Sequence, residues 1–211
     1  MQWRHAGLLA VMAAFFLFFS NSKLTGATVS WVGGSGDWTS TGHWSTGALP
    51  GPADDVVINP AGSVTVTHST GNHTVSSLLS TKAFVLSGGE LAVFHSFIAS
   101  NTVTLSGGTL STTMMVTTNG TSLIVDGTGT LSGVTVDGIL DVGNSAGGAL
   151  LTVTNGLALN GTALVGNPTN NYYGSIRFAG SQMLSGVGKV VFGNNCCNNA
   201  LWLTRLSILG R

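Results

Sequence analysis

The chain has 211 residues, of which 31 are Gly and 4 are Pro, while Asp, Glu, Lys and Arg together make up only 7%, against roughly 25% in ordinary soluble domains. With 43% hydrophobic residues and a mean hydropathy of +0.40, it lacks the low hydrophobicity and high net charge of a disordered polypeptide, and it must bury a core. Seven acidic residues balance seven basic ones, which removes the long-range field that a phosphate backbone would require, so no nucleic acid partner is expected.

In chain order, Met1-Gln2-Trp3-Arg4-His5 precedes an unbroken apolar run from Ala6 to Phe19. That run suits the apolar stretch of a secretory signal and falls short of the roughly 20 residues that span a hydrocarbon core as a helix. Residues 1–27 are therefore expected to be a signal peptide, with cleavage after Ser22 or after Ala27. An uncleaved anchor or a buried hairpin helix is the alternative. The address implied is secreted or cell-surface. Membrane contact is expected only through this segment or through a C-terminal anchor that the sequence does not contain.

Residues 28–58 hold Trp31-Val32-Gly33-Gly34-Ser35-Gly36-Asp37-Trp38, then His43-Trp44-Ser45, Leu49-Pro50-Gly51-Pro52 and Asp54-Asp55-Val56-Val57-Ile58. Three of the five Trp lie here. The first layer of a stacked β structure exposes an apolar end and unpaired strand edges, and large rings with one polar N–H suit the cap that it needs. The alternative is that Trp38 and Trp44 stack on a sugar ring.

Residues 59–211 alternate short β-branched runs with Gly, Asn, Asp or Ser turns, as in Val64-Thr65-Val66-Thr67, Val103-Thr104-Leu105, Leu123-Ile124-Val125 and Leu151-Thr152-Val153-Thr154. No 3.6-residue period competes, so the class is all-β. Ser87-Gly88-Gly89-Glu90-Leu91 recurs as Ser106-Gly107-Gly108-Thr109-Leu110, and Leu110 to Leu131, Leu131 to Leu150 and Leu140 to Leu159 repeat a similar step. A period of about 19–21 residues with two or three strands in each predicts a parallel β-solenoid, or β-helix, of about eight coils. Leu, Val and Ile ladders would point inward, with Thr and Ser outward. An antiparallel sandwich is the competing fold. Gly166 to Gly174 reads as a loop bulging from one coil, with Tyr172 and Tyr173 either folded over the coil edge or forming a platform for carbohydrate. The end, Leu201 to Arg211, reads as mid-ladder, so a truncated C-terminus is expected, Arg211 is not assigned as the native end, and end-to-end self-association is open.

The order Trp, Gly-Gly, Trp, Trp, Gly-x-x-Pro, Asp-Asp-Val-x-Ile followed by Gly-Gly-x-Leu coils resembles the head of secreted bacterial β-solenoids of the autotransporter-passenger and large-adhesin type. The stretch from Trp44 to Val93 is also similar in outline to the glycine-rich extracellular module of animal cell-surface proteins. The resemblance implies a single-stranded, right-handed parallel β-helix used for adhesion or as a scaffold on the cell exterior. A carbohydrate or a host or matrix surface would be its partner, and it implies no catalytic residue.

Parallel β-helices also carry polysaccharide lyases and hydrolases. Glycoside hydrolysis needs two carboxylates about 5 to 9.5 Å apart, and a lyase needs an acid cluster for Ca²⁺ with a basic residue beside it. After the signal, the acids are Asp37, Asp54, Asp55, Glu90, Asp126, Asp137 and Asp141. Asp54 and Asp55 are expected to cap the turn before Val56. Asp126, Asp137 and Asp141 sit near successive coil corners, but the glycine-rich nonapeptide of calcium-stacked rolls is missing. His68 and His73, five apart across a turn, are expected as exposed turn histidines, with zinc or a catalytic base as the alternative. His43 and His95 stand elsewhere. Cys196 and Cys197 are adjacent and close no useful loop. No catalytic, cofactor or metal residue is assigned. Asn-x-Ser/Thr acceptors occur at Asn72, Asn119 and Asn160. A surface- or ice-binding solenoid is a third class, yet Thr65-Val-Thr67, Thr102-Val-Thr104, Thr128-Gly-Thr130 and Thr152-Val-Thr154 are spaced so that they should not align.

Overall fold

The computed structural model describes residues 26–203 except Thr112, Asn119 and Cys196, and Leu203 by its backbone alone. The expected signal segment therefore lies almost entirely outside the described residues, as does the chain after Leu203.

Each coil turns three corners, so the strands fall on three faces. The first face stacks eight strands, Gly36–Asp37, Thr65–His68, Ala83–Leu86, Val103–Leu105, Ser122–Val125, Ile139–Val142, Thr162–Val165 and Lys189–Phe192. The second face stacks Asn72–Val75, Glu90–Val93, Thr109–Ser111, Gly174–Phe178 and Ala200–Leu203 around the leading halves of Thr128–Asp137 and Ala149–Leu159. The third face stacks Thr28–Ser30, Asp55–Ile58, Ser77–Ser80, Ser96–Ala99 and Met114–Thr117, then the trailing halves of those two long strands and Leu184–Ser185. Every ladder is parallel, which excludes the sandwich; one isolated antiparallel bridge, Trp31 with Trp44, lies in the head. The result is a β-solenoid of about seven turns.

The alternation of side chains along each strand sends every second residue inward. In register, the first face lines up Val66, Phe84, Val103, Leu123, Leu140 and Ala163, the second Leu91, Leu110, Leu131, Val153 and Phe178, and the third Val29, Val56, Leu78, Phe97, Met115, Val136 and Leu159. These residues are buried, and each large side chain so placed contributes about 1.5–3 kcal/mol. The core is thus a column one side chain deep, held by coil-to-coil contact.

The corners decide the coil length. Gly89 (φ +65) has no room for a side chain, since a Cβ there would lie 2.0 Å from the Gly71 carbonyl oxygen of the coil below. Between the second and third faces, Thr128–Asp137 and Ala149–Leu159 run through the corner as continuous strands, with a bulge where Ser132 pairs Thr154 but Val134 pairs Leu157. The left-handed Asn155 (φ 55) sits in that bulge, the only such non-Gly residue among those described.

Two expected steps are corrected by the register. The steps from Ser87–Leu91 to Ser106–Leu110 and from Leu110 to Leu131 are real rungs. Leu131, however, pairs with Val153 and not Leu150, and Leu140 pairs with Ala163 and not Leu159. The later coils are longer because one corner has grown loops. The outward pattern also differs by face. On the second face one outward column runs Asn72, Glu90, Thr109, Thr130, Thr152 and Arg177, whereas one of the two outward columns of the third face is apolar over Val57, Leu79, Ile98 and Val116.

Candidate functional site

The head is a cap. Trp31 meets Trp44 edge-on at 4.8 Å between ring centroids, and Trp44 meets Trp38 at 4.7 Å. The Trp44 indole N–H donates to the Trp38 carbonyl at 2.8 Å, and that of Trp31 to the Gly34 carbonyl at 2.9 Å. Trp38 is 0% exposed and Trp44 2%, so the alternative of sugar stacking by these rings is overturned: their faces are covered by one another and by the first coil.

The acids are dispersed. Asp54 accepts from the Ala27 and Gly51 amides and caps the turn as expected. Asp55 accepts from the Ser77 hydroxyl at 2.6 Å, and the Ser77 and Ser76 hydrogen bonds hold its carboxyl below the usual range, with a smaller contribution from His95. Burial works to raise the Asp37 carboxyl, but hydrogen bonds from Ser69 and Thr39 outweigh it and keep the pKa low. Glu90 accepts from Ser111. Asp141 is buried and accepts from the amide and side chain of both Asn144 and Ser145. Asp126 and Asp137 are exposed and stand at different corners of one coil. Among the described residues, no group of three or more His, Cys, Asp or Glu is placed to hold a metal ion. Replacing Asp141 with Ala removes the acceptor for four donors at once, and the expected loss is about 2 kcal/mol of stability by urea denaturation.

The histidine expectation is corrected. The alternation Val64, Val66, His68 carries His68 inward, and it is 0% exposed; His73 is half-buried. His68 Nδ1 lies 2.9 Å from the Gly88 carbonyl, which fixes that nitrogen as the donor, and His68 Nε2 lies 2.8 Å from His73 Nδ1. Burial depresses both pKa values, opposed at His68 by the Gly88 hydrogen bond and at both by the Asp37 charge. His43 packs edge-on against Trp31, and His95 is exposed beside Ser76.

The feature that stands out from the rod is a stack of three loops at the corner between the first and second faces. They follow Val142, Val165 and Phe192, which are themselves consecutive rungs, and each begins Gly-Asn: Gly143-Asn144, Gly166-Asn167 and Gly193-Asn194. The layers are tied together. The Asn167 side chain donates to the Asn144 carbonyl at 2.8 Å, the Asn194 amide to the Asn167 carbonyl at 3.0 Å, and the Asn195 side chain to the Asn171 carbonyl at 3.2 Å. Loop residues 143–148, 166–173 and 193–199 include no charged residue. Tyr172 and Tyr173 are 45% and 42% exposed. Both lean on the neighbouring loop: a Cβ at Gly147 would lie 2.8 Å from Tyr172 Cδ1, and one at Gly148 3.7 Å from the Tyr173 hydroxyl. Each Tyr is thus both folded over the coil edge and open to solvent. Cys197 is exposed in the third loop; its neighbour Cys196 lies outside the described residues, as does Asn119.

The two Thr-x-Thr pairs on the second face are offset as expected, since Thr130 and not Thr128 pairs with Thr152, but the expectation is corrected on the first face, where Thr67 and Thr104 share one column two rungs apart through Val85. The register does build a hydroxyl column from Thr109, Thr130 and Thr152. The adjacent column is broken, because Ser111 is buried against Glu90. Two shallow clefts occupy other corners, one of about 240 Å³ beside Asn155 and Met183 and one of about 340 Å³ beside Lys82 and Asn101, and neither is lined by an acid.

No family model, curated protein or solved structure matches the chain. Of what the resemblance implied, the β-solenoid is present, and the comparisons add no autotransporter or adhesin relative.

Proposed function

We propose that this chain is a non-catalytic, extracellular β-solenoid that acts as a structural or adhesive rod and meets its partners through the stacked loops on one corner. The observation that carries the reading is the use of the carboxylates. Asp37, Asp54, Asp55, Glu90 and Asp141 each hold a turn or tie one coil to the next. A hydrolase or lyase keeps such groups facing a groove with their oxygens available to substrate or Ca²⁺. Loops projecting from a rigid scaffold are where binding residues concentrate, and the apolar leader Ala6–Phe19 fits export. The absence of net charge favours partners met by contact and hydrogen bonding over those drawn by a long-range field.

The full chain incubated with polygalacturonate, xylan and a β-glucan is expected to release no reducing ends and no unsaturated uronate absorbance. Turnover abolished in Asp126→Asn, Asp137→Asn or Asp141→Asn would replace this reading with the enzyme.

A further inference from the structure

We propose that Tyr172 and Tyr173, flanked by Asn170 and Asn171, form a stacking platform for the pyranose rings of a neutral glycan. The assignment rests on the non-catalytic adhesive reading and names the ligand class of its loop site.

Three properties of the loop support it. First, the rings are exposed and stand on an anchored backbone. The Tyr173 carbonyl accepts from the Gly148 and Ala149 amides, and the Tyr172 carbonyl accepts from the Asn167 amide at 3.1 Å. Gly147 leaves room for the Tyr172 ring to lie against the loop below. Rings held in place before a ligand arrives lose little freedom on binding. The electron-rich face of a phenol attracts the polarised C–H groups on the apolar side of a sugar.

Second, hydrogen-bonding capacity remains open around the rings. Among the described residues, neither phenol hydroxyl has a hydrogen-bond partner, Asn170 uses only its oxygen, toward the Tyr172 amide at 2.8 Å, and the exposed Asn171 side chain makes no bond. Side-chain amides offer a donor pair and an acceptor together, which matches vicinal hydroxyls. Third, the three loops carry no charge. Nothing in them compensates the desolvation of a carboxylate or sulfate, which selects against uronates and sulfated chains.

The test is calorimetric titration of the full chain with cello-, xylo-, manno-, malto- and chito-oligosaccharides, with oligogalacturonate and a heparin hexasaccharide as anionic comparisons. At least one neutral oligosaccharide is expected to bind. Its affinity should fall about tenfold or more in Tyr172→Ala and in Tyr173→Ala, with unchanged thermal melting, and less than about twofold in Tyr172→Phe. Gly147→Ala, which pushes the Tyr172 ring off its seat without touching a sugar, is expected to weaken binding as well. The assignment is overturned if no neutral oligosaccharide binds, if only the anionic ones bind, or if both Ala variants bind as the parent does. Adhesion to a matrix-coated surface that persists when no neutral glycan binds overturns the ligand class alone, whereas release of reducing ends overturns the adhesive reading beneath it.

Discussion

Trp38→Ala is expected to lower stability by about 3–5 kcal/mol, the range for emptying a buried aromatic site. Trp38 is 0% exposed and touches rings on both sides of the boundary between head and rod: Trp44 at 4.7 Å, Phe84 at 6.1 Å, His68 at 5.8 Å and His73 at 6.3 Å between centroids. The Trp38 carbonyl still accepts from Trp44 after the change, so the loss is one of packing. Because each coil of a solenoid contacts only its neighbours, the damage should begin locally. Amide exchange is expected to accelerate first in Thr65–His68 and Ala83–Leu86, while Ile139–Val142 and Thr162–Val165 keep their protection until the whole rod melts. Uniform acceleration along all eight strands of the first face would show that the cap has no local role. Trp38→Phe sharpens the result. The Trp38 indole N–H is buried without a hydrogen-bond partner among the described residues, and phenylalanine removes that unsatisfied donor along with the ring volume. Its expected loss is therefore smaller, about 1–2 kcal/mol, as the cavity is offset by relief of an unpaired polar group.

How far the sequence could be read depends on where regularity survives. Ser87–Leu91 and Ser106–Leu110 advertise their register because the corner between them is short and fixed by glycine. The steps from Leu131 and Leu140 mislead because Leu, Val and Ala are interchangeable on an inward ladder, and the loop at residues 143–148, with the bulge at Asn155 in the second step, shifts the next rung without marking the strand. The recurrence of Val142-Gly143-Asn144, Val165-Gly166-Asn167 and Phe192-Gly193-Asn194 was the available signal for the stacked loops. It is visible in the sequence but says nothing of stacking until the rungs are aligned. His68 was legible too, since Val64-Thr65-Val66-Thr67-His68 continues a period of two into the core. A turn-like Ser-Thr-Gly-Asn following it pointed the reading outward. Asp141 had no such signal. It occupies an outward rung between Ile124 and Leu164, and only the loop folded over it makes it buried.

The second large effect concerns acid. Both His68 and His73 have pKa values below the ordinary histidine value, chiefly through burial. In the unfolded chain each titrates near 6.5. Above that pH both are neutral in both states and the folded rod has its full stability. As pH falls below about 6.5, the unfolded chain takes up protons that the folded chain refuses, so stability declines, with a slope approaching about 1.4 kcal/mol per pH unit for each histidine until its folded pKa is reached. The geometry makes the second proton worse than the first. His68 Nδ1 is committed to the Gly88 carbonyl, so the 2.8 Å contact between His68 Nε2 and His73 Nδ1 has room for one hydrogen. One cation is tolerated, helped by Asp37; two would set N–H against N–H and must part. Since Trp38 packs on both imidazoles, separation of the pair loosens the cap. Urea melts followed by Trp fluorescence are expected to show the midpoint falling between pH 7 and pH 5. In His68→Leu, which continues the column of Leu86, Leu105 and Val125, most of that fall should vanish. A midpoint that drops equally between pH 7 and pH 5 in the parent and in His68→Leu would overturn the assignment to this pair, because the carboxylates of Asp37 and Asp55, whose folded pKa values are also low, lose their stabilising effect only below about pH 4.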